Sequence, residues 1–236
     1  SVSAAEKAPV YRLQENIPYR TTGNAYSRER CKLDVYYPDN GHTWPVVVWF
    51  HGGGLTGGHK FIPEQLKNEG LVVVAVNYRL LPAATLSDCL DEAGGYLTNM
   101  IGLDKKWLSA YGVDADSIAA LIPFSGHAIS HFAYRQAKGM KDTQPGIDEF
   151  APLYHIRPDA PPLVIVSGDR EMEMLGRYEE NAYFWRMMKV IGHPETYLYE
   201  LGGYDHGSMA APAFHILKNY LKNYPKNYPG KKEKEN

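Results

Sequence analysis

The chain has 236 residues, 44% of them hydrophobic, which is enough for one large core and too little for two. Its 25 basic and 27 acidic residues leave a formal charge of -2, which excludes a global field that would gather nucleic acid or an anionic membrane. The longest apolar runs are strand-sized and far short of the roughly 18 residues of a membrane-spanning helix, so a soluble protein is expected. The small polar residues SVSAAEKAP at its start are compatible with secretion or a periplasmic location.

In chain order, segments 11–19 and 31–37 carry the β-branched and aromatic residues of strands, separated by the turn-rich TTGNAYSRER. They predict an opening antiparallel hairpin. Val46–Phe50 and 71–76 are continuous apolar runs, as in strands covered on both faces, and a short helix at 63–69 fits between them. Segments 118–124 and 163–166 read as two more buried strands, and Thr196–Leu201 as another. Arg177–Val190 has helical periodicity, with Tyr183, Phe184, Met187 and Met188 as its apolar stripe. This alternation predicts an α/β fold with a doubly wound, mostly parallel sheet and flanking helices. Segment 126–161 has no clear strand and reads as a lid-like excursion within a single domain, 1–222. Residues 223–236 end a run that repeats KNY and finishes in alternating charge, which predicts a flexible charged tail. Cys31 and Cys89 have no metal-ligand spacing and are expected to be buried free thiols.

The sharpest motif is VVVWFHGGGLTGG, a buried strand running straight into His51, Gly52, Gly53 and Gly54. Glycines let the backbone turn tightly and bring N–H groups against developing negative charge. A phosphate-binding loop is the competing reading, but no GK[ST] follows and no helix begins directly after the glycines. Two later strands end in loops rich in chemistry: PPLVIVSGDREMEML in a cluster of acids, and ETYLYELGGYDHGSM in His206, flanked by Gly203 and Gly207.

Together these motifs resemble the esterase/lipase family of α/β-hydrolases, the HGGG-type carboxylesterases, over about residues 11–221. The resemblance implies that the Gly53 and Gly54 amides bind the oxyanion and that His206 is the catalytic base. It implies that the acid lies just past the 163–166 strand. Glu171 stands three residues after Gly168, where the family's G-x-x-D carries its aspartate, and Asp169 is the second candidate. Either could instead be a solvated or helix-capping acid.

The family's nucleophile is a serine on a strained strand-to-helix turn, usually G-x-S-x-G, and no such motif occurs. Ser125 follows a buried strand, but Pro123 and His127 replace the elbow glycines. Taking Ser125 as the nucleophile would also leave the fold one helix-strand unit short. Ala93, Gly94, Gly95, Tyr96 and Leu97 resemble the second half of the esterase elbow S-A-G-G-Y-L instead. On that alignment a helix, a strand and the serine itself are missing before Gly94.

The resemblance therefore implies a serine carboxylic-ester hydrolase, with a Ser-Glu-His type triad acting on short acyl esters such as acetyl or feruloyl groups. The missing serine supports an alternative, a catalytically inactive hydrolase-fold protein that binds a ligand. A small-molecule ester is the expected partner, with no nucleic acid, no membrane span and no cofactor. His127 and His131 have the spacing of a helical metal pair, but no third ligand is indicated, so no metal is expected.

Overall fold

The computed structural model describes residues 8–90 and 95–227. The opening hairpin is formed by β1 (Tyr11–Pro18) and β2 (Lys32–Pro38), antiparallel with Tyr11 opposite Pro38. Between them α1 (Ala25–Arg30) starts at Asn24, whose side chain accepts the Ser27 N–H at 2.8 Å. β2 pairs antiparallel with β4 (Val72–Val76), and β4 pairs parallel with β3 (Val46–Phe50), giving the order β1-β2-β4-β3. The helix expected at 63–69 is only a 3-10 turn, Glu64–Leu66. Asn68 and Gly70 adopt positive φ, 59° and 67°, which breaks the helical path immediately after it.

Four short helices follow: α2 (Leu86–Leu90), α3 (Gly95–Leu103), α4 (Lys106–Ser109) and, farther on, α5 (Phe132–Ala137). Then β5 (Leu163–Gly168), α6 (Arg177–Val190), β6 (Thr196–Leu201) and α7 (Ala210–Asn227) complete the order. β5 and β6 are parallel, and all of β5 is buried. The strand expected at 118–124 does not form as a regular element. It meets β5 through two isolated parallel bridges, Leu121 to Leu163 and Phe124 to Val166. Pro123 has no N–H to donate, and among the described residues no strand pairs with the segment's other side. The sheet is therefore in two parts, one of four strands and one of two.

Packing corrects two further expectations. On α6, Phe184 and Met188 are fully buried, but Tyr183 is 53% exposed and Arg177 and Asn181 are buried in its stead. α7 continues beyond residue 222, into the expected tail, because its Phe214 and Leu217 are buried and Leu221 packs with them against Leu66 and Val73. Residues 228–236 of that tail lie outside the described residues, as do 91–94, where the resemblance placed a break. Segment 126–161 includes α5 and a 3-10 turn at Pro152–His155, and the Tyr96 hydroxyl of α3 ties it down by donating to the Phe150 carbonyl. Cys31 and Cys89 are buried and not disulfide-bonded. Among the described residues no helix is long and apolar enough to cross a membrane.

Candidate active site

Directly after β3 the chain enters the glycine loop. His51 is 2% exposed, stacks on Tyr78 with ring centroids 4.4 Å apart, and sets Nδ1 2.6 Å from the Gly52 carbonyl. Burial lowers its pKa to about 4, so it is neutral at pH 7 and braces the loop rather than titrating there. Arg30 supports the same turn, donating to the Tyr78 carbonyl at 3.0 Å and the Gly58 carbonyl at 3.2 Å. Gly53 has φ 121° and its carbonyl accepts from the Thr56 and Gly57 N–H groups at 3.1 and 3.0 Å. A Cβ at Gly53 would run into the Gly57 carbonyl. Among the described residues the Gly53 and Gly54 amides have no backbone acceptor, so they remain available to an incoming oxygen.

The opposing loops come from β5 and β6. Past Gly168, a turn closes with the Met172 and Glu173 N–H groups donating to the Asp169 carbonyl at 2.9 and 2.8 Å. This turn brings Glu173 back over the end of β5. The Asp169 side chain accepts from the Gly203 N–H at 2.7 Å, which pins the histidine loop against the acid loop. Glycine is required at 168, since a Cβ there would lie 2.6 Å from the Tyr204 carbonyl and 3.0 Å from Glu173 Oε2.

His206 Nδ1 lies 2.7 Å from Glu173 Oε1. The carboxylate can only accept, so Nδ1 carries the proton and Nε2 keeps its lone pair. The Glu173 side chain is fully covered and that of His206 is 47% exposed. Burial alone would raise the Glu173 pKa, but hydrogen bonds from His206, Ser125 and the Met174 N–H outweigh it and bring the pKa down to about 2. In the unfolded chain this carboxyl takes up its proton near the ordinary 4.5. Its stabilising contribution is thus complete above pH 4.5 and is lost as the pH falls to about 2. Glu173→Gln is expected to flatten the acid fall of the melting temperature between about pH 5 and 2.5, and a fall as steep as the parent's would contradict this.

Ser125 stands on the wrong nitrogen for a nucleophile. Its hydroxyl donates to Glu173 Oε2 at 2.7 Å and sits 2.9 Å from Nδ1, the nitrogen already committed to the acid. It has φ 47° and is clamped from behind: the Arg177 guanidinium donates to its carbonyl, Asn181 donates to the Gly126 carbonyl at 2.9 Å, and its N–H donates to Val166 at 2.7 Å. His127 belongs to the same clamp, with Glu180 Oε1 3.0 Å from Nδ1 and Arg177 Nη2 2.8 Å from Nε2. Both of its nitrogens are therefore occupied by protein.

Of the residues singled out in the sequence, His206, His51 and Gly52 border one cavity of about 800 Å³, whose lining does not include Gly53 or Gly54. Glu171 does not reach His206, because its backbone N–H is held by Asp169 Oδ1 at 2.9 Å on the outer side of the turn. Glu173 takes the place expected for it. The sequence signal was a second acid two residues on, which only the turn geometry separates from the first.

Residues 4–95 match the carboxylesterase family. In three dimensions the chain is similar to a truncated form of a carbohydrate esterase from gut microbiota, with a TM-score of 0.70 at 14% identity, over 94% of this chain and 99% of that one. Thermogutta terrifontis esterase 2 aligns with a TM-score of 0.65 at 18% identity, over 92% and 96%. The chain has the α/β-hydrolase fold. Among curated proteins it is 28% identical over 155 residues to tuliposide A-converting enzyme b1 of Tulipa gesneriana, 61% of this chain and 38% of that protein. The chain thus spans well under half of that relative's length.

Proposed function

We propose that this α/β-hydrolase cleaves carboxylic esters of short acyl groups, with His206 as base, Glu173 as its orienting acid and the Gly53 and Gly54 amides as oxyanion donors. One observation carries the reading: the Glu173-held histidine and the start of the glycine loop border the same cavity. Phe132 of the 126–161 excursion reaches within 3.0 Å of where a Gly54 Cβ would sit, which supports a lid role for that segment and a restricted acyl side.

The attacking oxygen must approach Nε2. Among the described residues no serine hydroxyl is hydrogen-bonded there, and 91–94 contain no serine. In this chain His206 therefore activates water. As the water oxygen bonds to the acyl carbon, its proton passes to Nε2 and the carbonyl electrons move onto the oxygen held by the glycine amides. Collapse expels the alkoxide, which takes the proton from Nε2, leaving acid and alcohol. General-base assistance contributes roughly 10²- to 10⁴-fold, and binding plus oxyanion stabilisation without a serine leave about 10³ to 10⁴ over water.

Hydrolysis of p-nitrophenyl acetate tests the reading. His206→Ala is expected to lower kcat/KM by about 100-fold with the fold retained; an unchanged rate would remove the proposal's basis. Ser125→Ala is expected to keep at least about a tenth of the activity, since it removes one of several donors to Glu173. Complete loss would instead make Ser125 the nucleophile.

A second reading is favoured by the same unoccupied face of His206: a protein that binds esters without turning them over. It predicts thermal stabilisation by an ester whose hydrolysis is no faster than with His206→Ala.

A further inference from the structure

The two parts of the sheet face each other across a seam. Among the described residues β3 pairs on one side only, with β4, and segment 118–124 bonds on one side only, with β5. The Val72 N–H donates to the Pro45 carbonyl at 2.9 Å. In a parallel ladder this sets residues 45, 47 and 49 against β4 and turns the peptide groups of Val46 and Val48 toward the seam. Across it, Leu121 exchanges hydrogen bonds with Pro162 and Val164, and the Ser125 N–H bonds Val166, which leaves the peptide groups of Ala120 and Ile122 facing back.

Between these edges lies the cavity of about 800 Å³, with Val46, Val48, Ala120 and Ile122 on its walls together with Ile101 of α3 and Leu217 of α7. Val46 and Val48 are 59% and 52% exposed, unusual for valines in a parallel strand of a three-layer fold. Side chains of the two edges meet in an aromatic cluster: Trp49 of β3 lies 5.7 Å from Phe124 and 5.1 Å from Phe214 of α7, and these two are 5.2 Å apart. Both edges end at the same place, since Gly52 follows β3, Ser125 follows the other edge, and His206 touches Ser125 and borders the cavity.

We propose that this seam is a binding site for one extended peptide strand of about five β-branched or aliphatic residues, inserted parallel to β3. A strand pairs at about 4.8 Å from each neighbour, and bridging the seam requires the two edges to stand about two such spacings apart. An acyl chain or other apolar ligand would fill the volume but leave two rows of peptide groups without protein partners. The cavity walls are mostly apolar side chains, which favours an apolar guest. The seam thus accepts backbone by strand addition, with side-chain character set by these walls. This inference rests on the sheet and not on ester hydrolysis.

The probe is a fluorescein-labelled peptide, Lys-Lys-Val-Ile-Val-Ile-Val, titrated against the full chain by fluorescence anisotropy. Saturable binding is expected. An analogue N-methylated at both isoleucines keeps every side chain but loses donors to one edge, and should bind at least about tenfold more weakly. Val48→Pro removes a seam-facing N–H while leaving the β4 bonds, and should weaken binding to a similar degree with an unchanged circular dichroism spectrum. Should that variant fail to fold, the N-methylated peptide decides alone. Equal binding of the two peptides would mean an apolar cavity and no strand site. Absence of saturable binding, or a dimer of the chain that blocks the peptide, would also overturn the proposal. Since the readout is binding, it fails or succeeds separately from ester turnover.

Discussion

Glu173→Gln is expected to lower kcat/KM for p-nitrophenyl acetate by about 100-fold, and Glu171→Gln to change it by less than about threefold. Only Glu173 reaches His206, at 2.7 Å, with its side chain fully covered. An amide in its place can still meet Nδ1, but it can offer its own N–H there and stabilise the tautomer that carries the proton on Nε2. The base then presents a proton where it needs a lone pair, and it also loses the charge that steadies the imidazolium. Glu171 is on the outside of the turn, held through its backbone, and its carboxylate faces solvent. Equal losses from the two substitutions would mean that the acid loop rearranges around substrate.

Gly53→Ala is expected to lower kcat by about 10²- to 10³-fold, the range for losing an oxyanion donor, and to destabilise the fold by about 1–3 kcal/mol. The φ of 121° is one that a side chain rarely adopts, and the new Cβ would meet the Gly57 carbonyl. The loop can relieve the clash only by moving the 53 and 54 amides. Gly57→Ala, in the same loop, is the control. Its Cβ would meet nothing nearer than the Gly53 carbonyl at 3.9 Å, so both activity and melting temperature should stay near the parent's. Steady-state kinetics and thermal melts on the two variants check both halves.

Much of this architecture was legible in the residues. Apolar or β-branched runs bounded by turn formers marked the hairpin, β3 to β6 and α6, although only β5 is buried on both faces and β3, expected to be covered on both, leaves Val46 and Val48 more than half exposed. His206 and the glycine loop were visible because each follows such a strand directly. The choice between Glu171 and Glu173 was not, since it depends on a turn from Asp169 to Glu173 and on the bare space over Gly168. Tyr183 was misplaced because α6 buries Arg177 and Asn181 to clamp the Ser125 loop, a polar task that hydrophobic periodicity cannot register. Segment 118–124 has the composition of a strand but, among the described residues, lacks a second neighbour, and composition does not report on neighbours.

On the proposed reading His206 acts through Nε2 on water, with Ser125 turned away on Nδ1. Intact-mass spectrometry of the chain, incubated with a fluorophosphonate during measured ester turnover, tests this most directly. Turnover that depends on His206, together with an unchanged protein mass, is expected. A stoichiometric mass increment mapping to Ser125 would contradict it.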